Sequence, residues 1–211
     1  MTHTQAIEIA TDRSCADVFR LLAACFYQPD RDVFIEERLG ENLNEAVRQC
    51  FPPAAALARQ LADALHATNQ DDLLVDYARL FLGPFEILAH PYGSVYLDGE
   101  KVVMGNSTLA VKAFYAEQGL GLEDDFHELP DHIAVELEFL YLLHFREDEA
   151  RNSGDATGIA QAIENRKQFL HQHLGRWITT FTARMQQHAG TDFYRLLAAL
   201  CADCVSARMN P

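Results

Sequence analysis

The chain has 211 residues, 49% of them hydrophobic and 23% charged, with a formal net charge of −14. That length buries one sizeable core, the composition excludes wholesale disorder, and the acidic balance disfavours nucleic acid, whose phosphates need a basic surface. The N-terminus Met1–Ala10 lacks a basic stretch followed by an apolar one, so it reads as no signal peptide. The most apolar run, Ile133–Phe145, is 13 residues long and holds Glu136, Glu138 and His144, too short and too charged for a bilayer. A cytoplasmic protein without stable membrane insertion is the expectation.

In chain order the sequence predicts helices nearly throughout. Ser14 is placed to cap a helix through about Tyr27, with Val18, Leu21, Leu22 and Cys25 at helical spacing. Pro29-Asp30 breaks it. A short helix is expected over Asp32–Leu39, ended by Gly40, and a weaker one over Glu41–Cys50. Pro52-Pro53 suits the start of the next, Ala54–His66, where Leu57, Leu61 and Leu65 recur every fourth residue. Asp71-Asp72 favours a further N-terminus, and Leu73–Leu82 runs until Gly83-Pro84.

Residues 83–106 are the longest stretch without helical period, and a loop of that length is usually functional or mobile. Val95–Leu97, Asp98-Gly99 and Lys101–Val103 suggest a small hairpin. Asn106 or Ser107 caps a helix to about Gln118. Pro130-Asp131 opens a long buried helix to about Glu149. Asn152–Asp155 is a polar break, and helices over Thr157–His188 and Asp192–Ala207 complete the chain. The expected architecture is all-α: one domain over 1–211, a bundle of about nine to eleven helices with one long loop and a possible hinge near 152–155.

Charge is uneven. Residues 121–155 hold eleven acids against two bases, whereas 156–211 hold three acids against six bases. The acidic region either serves solubility or attracts a basic partner. Five cysteines, Cys15, Cys25, Cys50, Cys201 and Cys204, are odd in number and scattered, which reads as free thiols rather than a disulfide framework. Cys201-Ala202-Asp203-Cys204 lacks the other ligands of a zinc site and the βαβ context of a redox motif.

Asp131 and His132 are either a cap with a satisfied histidine or an exposed acid–imidazole pair that takes a cation; a carboxylate matches a guanidinium in bidentate geometry. His127, Asp131 and His132 are the alternative, a metal-dependent hydrolase site, though Pro130 interrupts a shared helix face and no H-E-x-x-H occurs. The aromatic set Tyr77, Phe81, Phe85, Tyr92 and Tyr96 divides between core positions on a helix and contact surface in the loop. No glycine-rich phosphate motif and no Gly-x-Ser-x-Gly is present.

Three blocks resemble the TorD/DmsD/NarJ family of cytoplasmic chaperones. The first is Tyr77, Leu80, Phe81 and Gly83, followed by Pro91, Ser94 and Tyr96. The second is Glu128, Pro130, Asp131, His132, Glu136, Leu137 and Phe139. The third is Phe169, Leu170, His173, Leu174 and Trp177. Leu129 stands where many members have the proline directly after the glutamate, and the first 70 residues match only in being helical. The resemblance implies a non-enzymatic, all-helical chaperone of anaerobic respiration. It would bind the twin-arginine signal peptide of a molybdoenzyme catalytic subunit and hold back export until molybdopterin is loaded. It also implies Asp131, His132, Glu128, Tyr92, Ser94 and Tyr96 as peptide-binding residues, with Tyr77, Leu80, Phe81, Gly83, Pro91, Pro130, His173 and Trp177 as framework. Such proteins occur as monomers or domain-swapped dimers. GTP or molybdopterin binding by the chaperone is implied by the family and carried by no motif here; no metal is expected.

Overall fold

A computed structural model describes residues 15–83, 86–99, 102–121 and 128–209. The expectations for Met1–Ala10, Ser14, Pro84, Phe85, Lys101 and His127 lie outside them. Helix α1 covers 15–24. It is followed by α2 (Arg31–Glu36), α3 (Leu39–Cys50), α4 (Ala55–Ala67), α5 (Gln70–Tyr77), α6 (Gly93–Leu97) and α7 (Asn106–Glu117). The second half holds α8 (Ile133–Ser153), α9 (Ala156–Gln172), α10 (Ile178–His188) and α11 (Asp192–Met209). No strand occurs among the described residues, so the all-α expectation holds.

Local chemistry sets most boundaries. Asp30 accepts from Val33 N at the start of α2, Asn69 from Asp72 N at α5, and Asp155 from Thr157 N and Gly158 N at α9. The break between α2 and α3 falls at Arg38, whose φ is 54°, and not at Gly40. Gly40 instead sits inside α3, where a Cβ would lie 3.1 Å from Ala62, so its role is close packing of α3 on α4. Residues 152–155 form a Schellman turn. Asp155 N donates to Ala150 O at 2.9 Å and Gly154 N to Arg151 O at 3.2 Å, with Gly154 at φ 73°. A second break, at His173, separates α9 from α10 through a 3₁₀ turn over Leu174–Arg176.

Two expectations fail. The first strand of the expected hairpin is helical instead: Val95–Leu97 lie in α6, which is held by a carboxylate from elsewhere in the chain. The cysteines are not all free, because Cys15 and Cys50 are joined as a disulfide with their Cα atoms 5.3 Å apart, while Cys25, Cys201 and Cys204 are buried thiols. The pairing is invisible in sequence since it depends on α1 lying against α3.

One cluster of buried side chains draws on helices from α1 to α11. At its centre Phe26, Phe81 and Phe181 meet with ring centroids 5.8 to 6.3 Å apart, and Tyr194 closes on Phe81 at 5.7 Å. A second aromatic group, Phe114, Tyr115, Phe139 and Phe169, fills the space between α7, α8 and α9. Each such ring stabilises the fold by roughly 1.5–3 kcal/mol through removal of apolar surface from water. Tyr77, Leu80 and Phe81 of the first motif are all core residues. They stand where α5 passes into a π-helical turn over Ala78–Leu82, closed by Gly83 N donating to Ala78 O at 2.7 Å. Among the described residues no helix is long and apolar enough to cross a membrane.

Candidate functional site

Two chain segments meet beside the N-terminus of α8. Gly93 N donates to Asp131 O at 2.9 Å and Ile133 N to Pro91 O at 2.8 Å, which makes Tyr92 and His132 an isolated antiparallel bridge. The Asp131 side chain adds a third tie, since its Oδ2 accepts from Ser94 N at 2.8 Å and so caps α6. The helix α8 begins at Ile133, with His132 as its N-cap: Nδ1 accepts from Ala134 N at 3.2 Å. Asp131 is therefore not in the first turn of α8, and the dipole it answers is that of the short α6. The first two motif blocks are thus the two halves of one clamp.

The third block forms the floor. Trp177 is 1% exposed and donates its Nε1–H to Glu136 Oε2 at 3.3 Å. A Cβ on Gly93 would lie 2.9 Å from that nitrogen, so only glycine lets the loop rest on the indole. Tyr96 stacks on Trp177 with centroids 5.6 Å apart and donates to His90 O at 2.9 Å. The guanidinium of Arg184 lies 5.2 Å from the Tyr96 ring centre. His173 packs edge-on against Phe114, and burial, aided by Arg176, lowers its pKa to about 4. Tyr115 donates to Pro130 O at 2.9 Å and fixes the start of the second segment.

Burial decides the chemistry. Asp131 and His132 are 1% and 4% exposed, so the pair is buried, as in the capping reading, and is not an exposed acid–imidazole pair. Burial lowers the His132 pKa to about 4, which leaves the imidazole neutral near pH 7. Glu136 is buried too, and desolvation, reinforced by the charge of Asp131, pushes its carboxyl well above the usual range. Asp131 Oδ1 and Ser94 Oγ are buried with no hydrogen-bond partner among the described residues. The acids of 121–155 are likewise not one acidic surface, because Asp131, Glu136, Glu147 and Asp148 are all interior.

The outer layer consists of tyrosines and two half-buried glutamates. Tyr92 reaches Glu128 Oε2 at 3.4 Å and stands edge-on to His132 at 5.3 Å. From the other side Tyr27 stacks on His132 at 6.1 Å and donates to Glu138 Oε1 at 3.0 Å. Burial raises the phenol of Tyr92 to about 12 and that of Tyr27 further, with the neighbouring carboxylates adding to both. Tyr27 and Glu138 are site members that sequence reasoning missed. Glu138 follows the motif residues Glu136 and Leu137 on α8 and carried a signal in its charge within an apolar run; Tyr27 carried none. Beside this layer a cavity of about 180 Å³ is lined mainly by apolar groups, including Tyr115, Leu120, Val135, Phe139 and Leu142.

The metal alternative gains nothing from this geometry. Asp131 Oδ2 and His132 Nδ1 already serve as helix caps, and among the described residues no group of three ligand-type side chains converges on one point.

Comparison with known proteins agrees with the motifs. Residues 49–183 match the family described as nitrate reductase delta subunit. The chain is 31% identical over 197 residues to the chaperone protein TorD of Shigella boydii, covering 90% of this chain and 92% of that one. It is 28% identical over 181 residues to the Tat proofreading chaperone DmsD of Salmonella typhi, covering 86% and 82%. A solved redox enzyme maturation protein from Archaeoglobus fulgidus shares the fold, with a TM-score of 0.54 at 21% identity over 90% of this chain and 91% of that one. The chain belongs to the nitrate reductase delta subunit family, the TorD/DmsD/NarJ group of redox-enzyme maturation chaperones that its three motif blocks anticipate.

Proposed function

We propose that this chain is a cytoplasmic chaperone that binds the twin-arginine signal peptide of a molybdoenzyme catalytic subunit and delays export until the cofactor is in place. One observation carries the reading. Glu128, Asp131, Glu136 and Glu138 gather at the N-terminal end of α8, and among the described residues none of them meets a cation. A paired-arginine segment supplies the missing charge. The half-buried Glu128 and Glu138 receive the guanidinium groups, with Tyr92 and Tyr27 alongside them. Asp131, His132, Ser94 and Tyr96 hold the clamp, and Asp131 Oδ1 is the acceptor left for a ligand donor that reaches inside. The apolar stretch that follows the arginines in a signal peptide fits the apolar cavity beside Tyr115 and Phe139 as a helix laid in a groove.

The test is a titration of the purified protein with a panel of twin-arginine signal peptides and their Arg-Arg→Lys-Lys counterparts, at low and high salt. Binding to one peptide that weakens with salt, with the lysine exchange, and in Glu128→Gln and Glu138→Gln supports the reading. Those two variants keep the shape of the side chains, so their melting temperatures should stay near that of the parent. Silence across the panel would assign the chain to a client subunit that lacks such a peptide, and a pull-down from anaerobic cells would then identify it.

A further inference from the structure

Far from the clamp, three helices bring reactive side chains together. Cys15 in the first described turn of α1 is wholly buried, and Cys50 at the end of α3 is half-buried. The guanidinium of Arg208, near the end of α11, bonds to both sulfurs: Nη2 contacts Cys15 Sγ and lies 2.9 Å from Cys50 Sγ. The same guanidinium sits 4.9 Å over the ring of Phe51, which follows Cys50 directly. The C-terminal end of α3 disfavours an anion at Cys50, and a fixed cation at the sulfur offsets that effect.

We propose that Cys15 and Cys50 form a reversible dithiol–disulfide site that exchanges with a low-molecular-weight disulfide, with Arg208 stabilising the thiolates. The half-buried Cys50 thiolate attacks one sulfur of the small disulfide and expels one small thiolate. Cys15 then attacks Cys50 Sγ in the mixed disulfide and expels the second. The two protein thiols give up two protons and two electrons, and the small disulfide takes them up as two thiols. The other cysteines are unsuited to this chemistry. Cys25, Cys201 and Cys204 are fully buried, and desolvation pushes Cys25 up to about 12 and raises the other two. A single cystine beside three free thiols is also not the framework of a disulfide-stapled domain. This proposal stands independently of the ligand assigned to the clamp.

The experiment equilibrates the full chain in glutathione buffers from reducing to oxidising, quenches with acid, and counts thiols by maleimide mass-tagging in denaturant. The chain has five cysteines, of which three lie outside the pair, so five tags at the reducing end and three at the oxidising end are expected, reversibly and with an unchanged helical spectrum. Cys15→Ser should trap one glutathione adduct on Cys50. Arg208→Gln should slow exchange about tenfold at neutral pH, and Arg208→Lys, which keeps the charge, should restore most of the rate. Five tags at every poise, or three at every poise until the protein is unfolded, would overturn the proposal. The wild-type count decides even where a cysteine variant fails to fold, and an Arg208→Gln rate equal to wild type would remove Arg208 from the site.

Discussion

The helix α8 carries two fully interior glutamates, Glu136 and Glu147, and treats them in opposite ways. Glu147, towards the C-terminal end, bonds Arg151 at 2.7 Å and also Arg166, whose Nη1 lies 3.2 Å from His144 Nδ1. Glu136, three turns earlier, has only the neutral indole N–H of Trp177 and stands in the field of Asp131. A buried carboxylate with cations is a finished structural element; one without them is kept neutral or waits for a cation. The same helix thus has a closed electrostatic end and an open one, and the open end is where the family motifs converge.

The largest expected effect comes from opening the closed end. Glu147→Ala leaves the guanidinium of Arg166, 13% exposed, without its carboxylate. A loss of about 3–5 kcal/mol is expected, read as a fall in the denaturant midpoint. A loss below about 1 kcal/mol would show that both ends of α8 are electrostatically alike and would remove the contrast. Next, Gly93→Ala pushes the 91–94 segment off Trp177 and should cost about 1–3 kcal/mol by overpacking. Unlike Glu147→Ala, it should also lower peptide affinity by more than its effect on stability explains, because it shifts Tyr92 and Ser94 together.

Much of the open end is legible in the amino-acid sequence. Trp177 is there for a reason that sequence can express, a large buried ring with one donor, whereas Asp131 caps α6 and not the α8 it precedes, and Gly93, outside the three motif blocks, serves a close approach to that ring. The three-dimensional sum is not legible in the same way. The sequence leaves Asp131 and His132 open between a cap and an exposed pair, because they adjoin a loop and a proline. They are buried because residues 91–94 cover them, and the partner segment is some forty positions away in sequence. Tyr27 meets Glu138 across 111 positions, and Cys15 meets Cys50 across 35. Helix periodicity says which face is buried but not which helix it faces. The local hairpin pattern over 95–103 lost for the same reason: a distant carboxylate capped α6.

Acid sharpens the comparison through His132. Its folded pKa of about 4 lies below the unfolded value of roughly 6.5, so the unfolded chain takes up the proton first as pH falls. Its contribution to stability is complete above pH 6.5 and is lost towards pH 4, a loss of about 2 kcal/mol by pH 5. Asparagine is a good N-cap and does not titrate, so His132→Asn should match the parent within about 1 kcal/mol at pH 7 and lose correspondingly less at pH 5. His144 and His173, also lowered by burial, will keep the variant acid-sensitive, so the diagnostic is the difference between the two pH profiles. Parallel profiles would mean that His132 is solvated and that the clamp stands open in solution.

The last test bears most directly on the open end, because its sign is opposite at the two glutamates. Glu136 has a raised folded pKa, so below its unfolded value of roughly 4.5 both states hold the proton and no difference arises. As pH rises the unfolded chain releases that proton while the fold retains it, and stability declines through the window up to the folded pKa. Glutamine at 136 offers the same oxygen to Trp177 and has no proton to lose. Glu136→Gln should therefore equal the parent near pH 4 and be the more stable of the two at pH 8. Glu147→Gln should be destabilising at pH 8, since it removes a charge that Arg166 and Arg151 need. If Glu136→Gln also destabilises at pH 8, Glu136 is ionised and paired with a cation, and the end of α8 assigned to an arginine ligand is already filled by the protein itself.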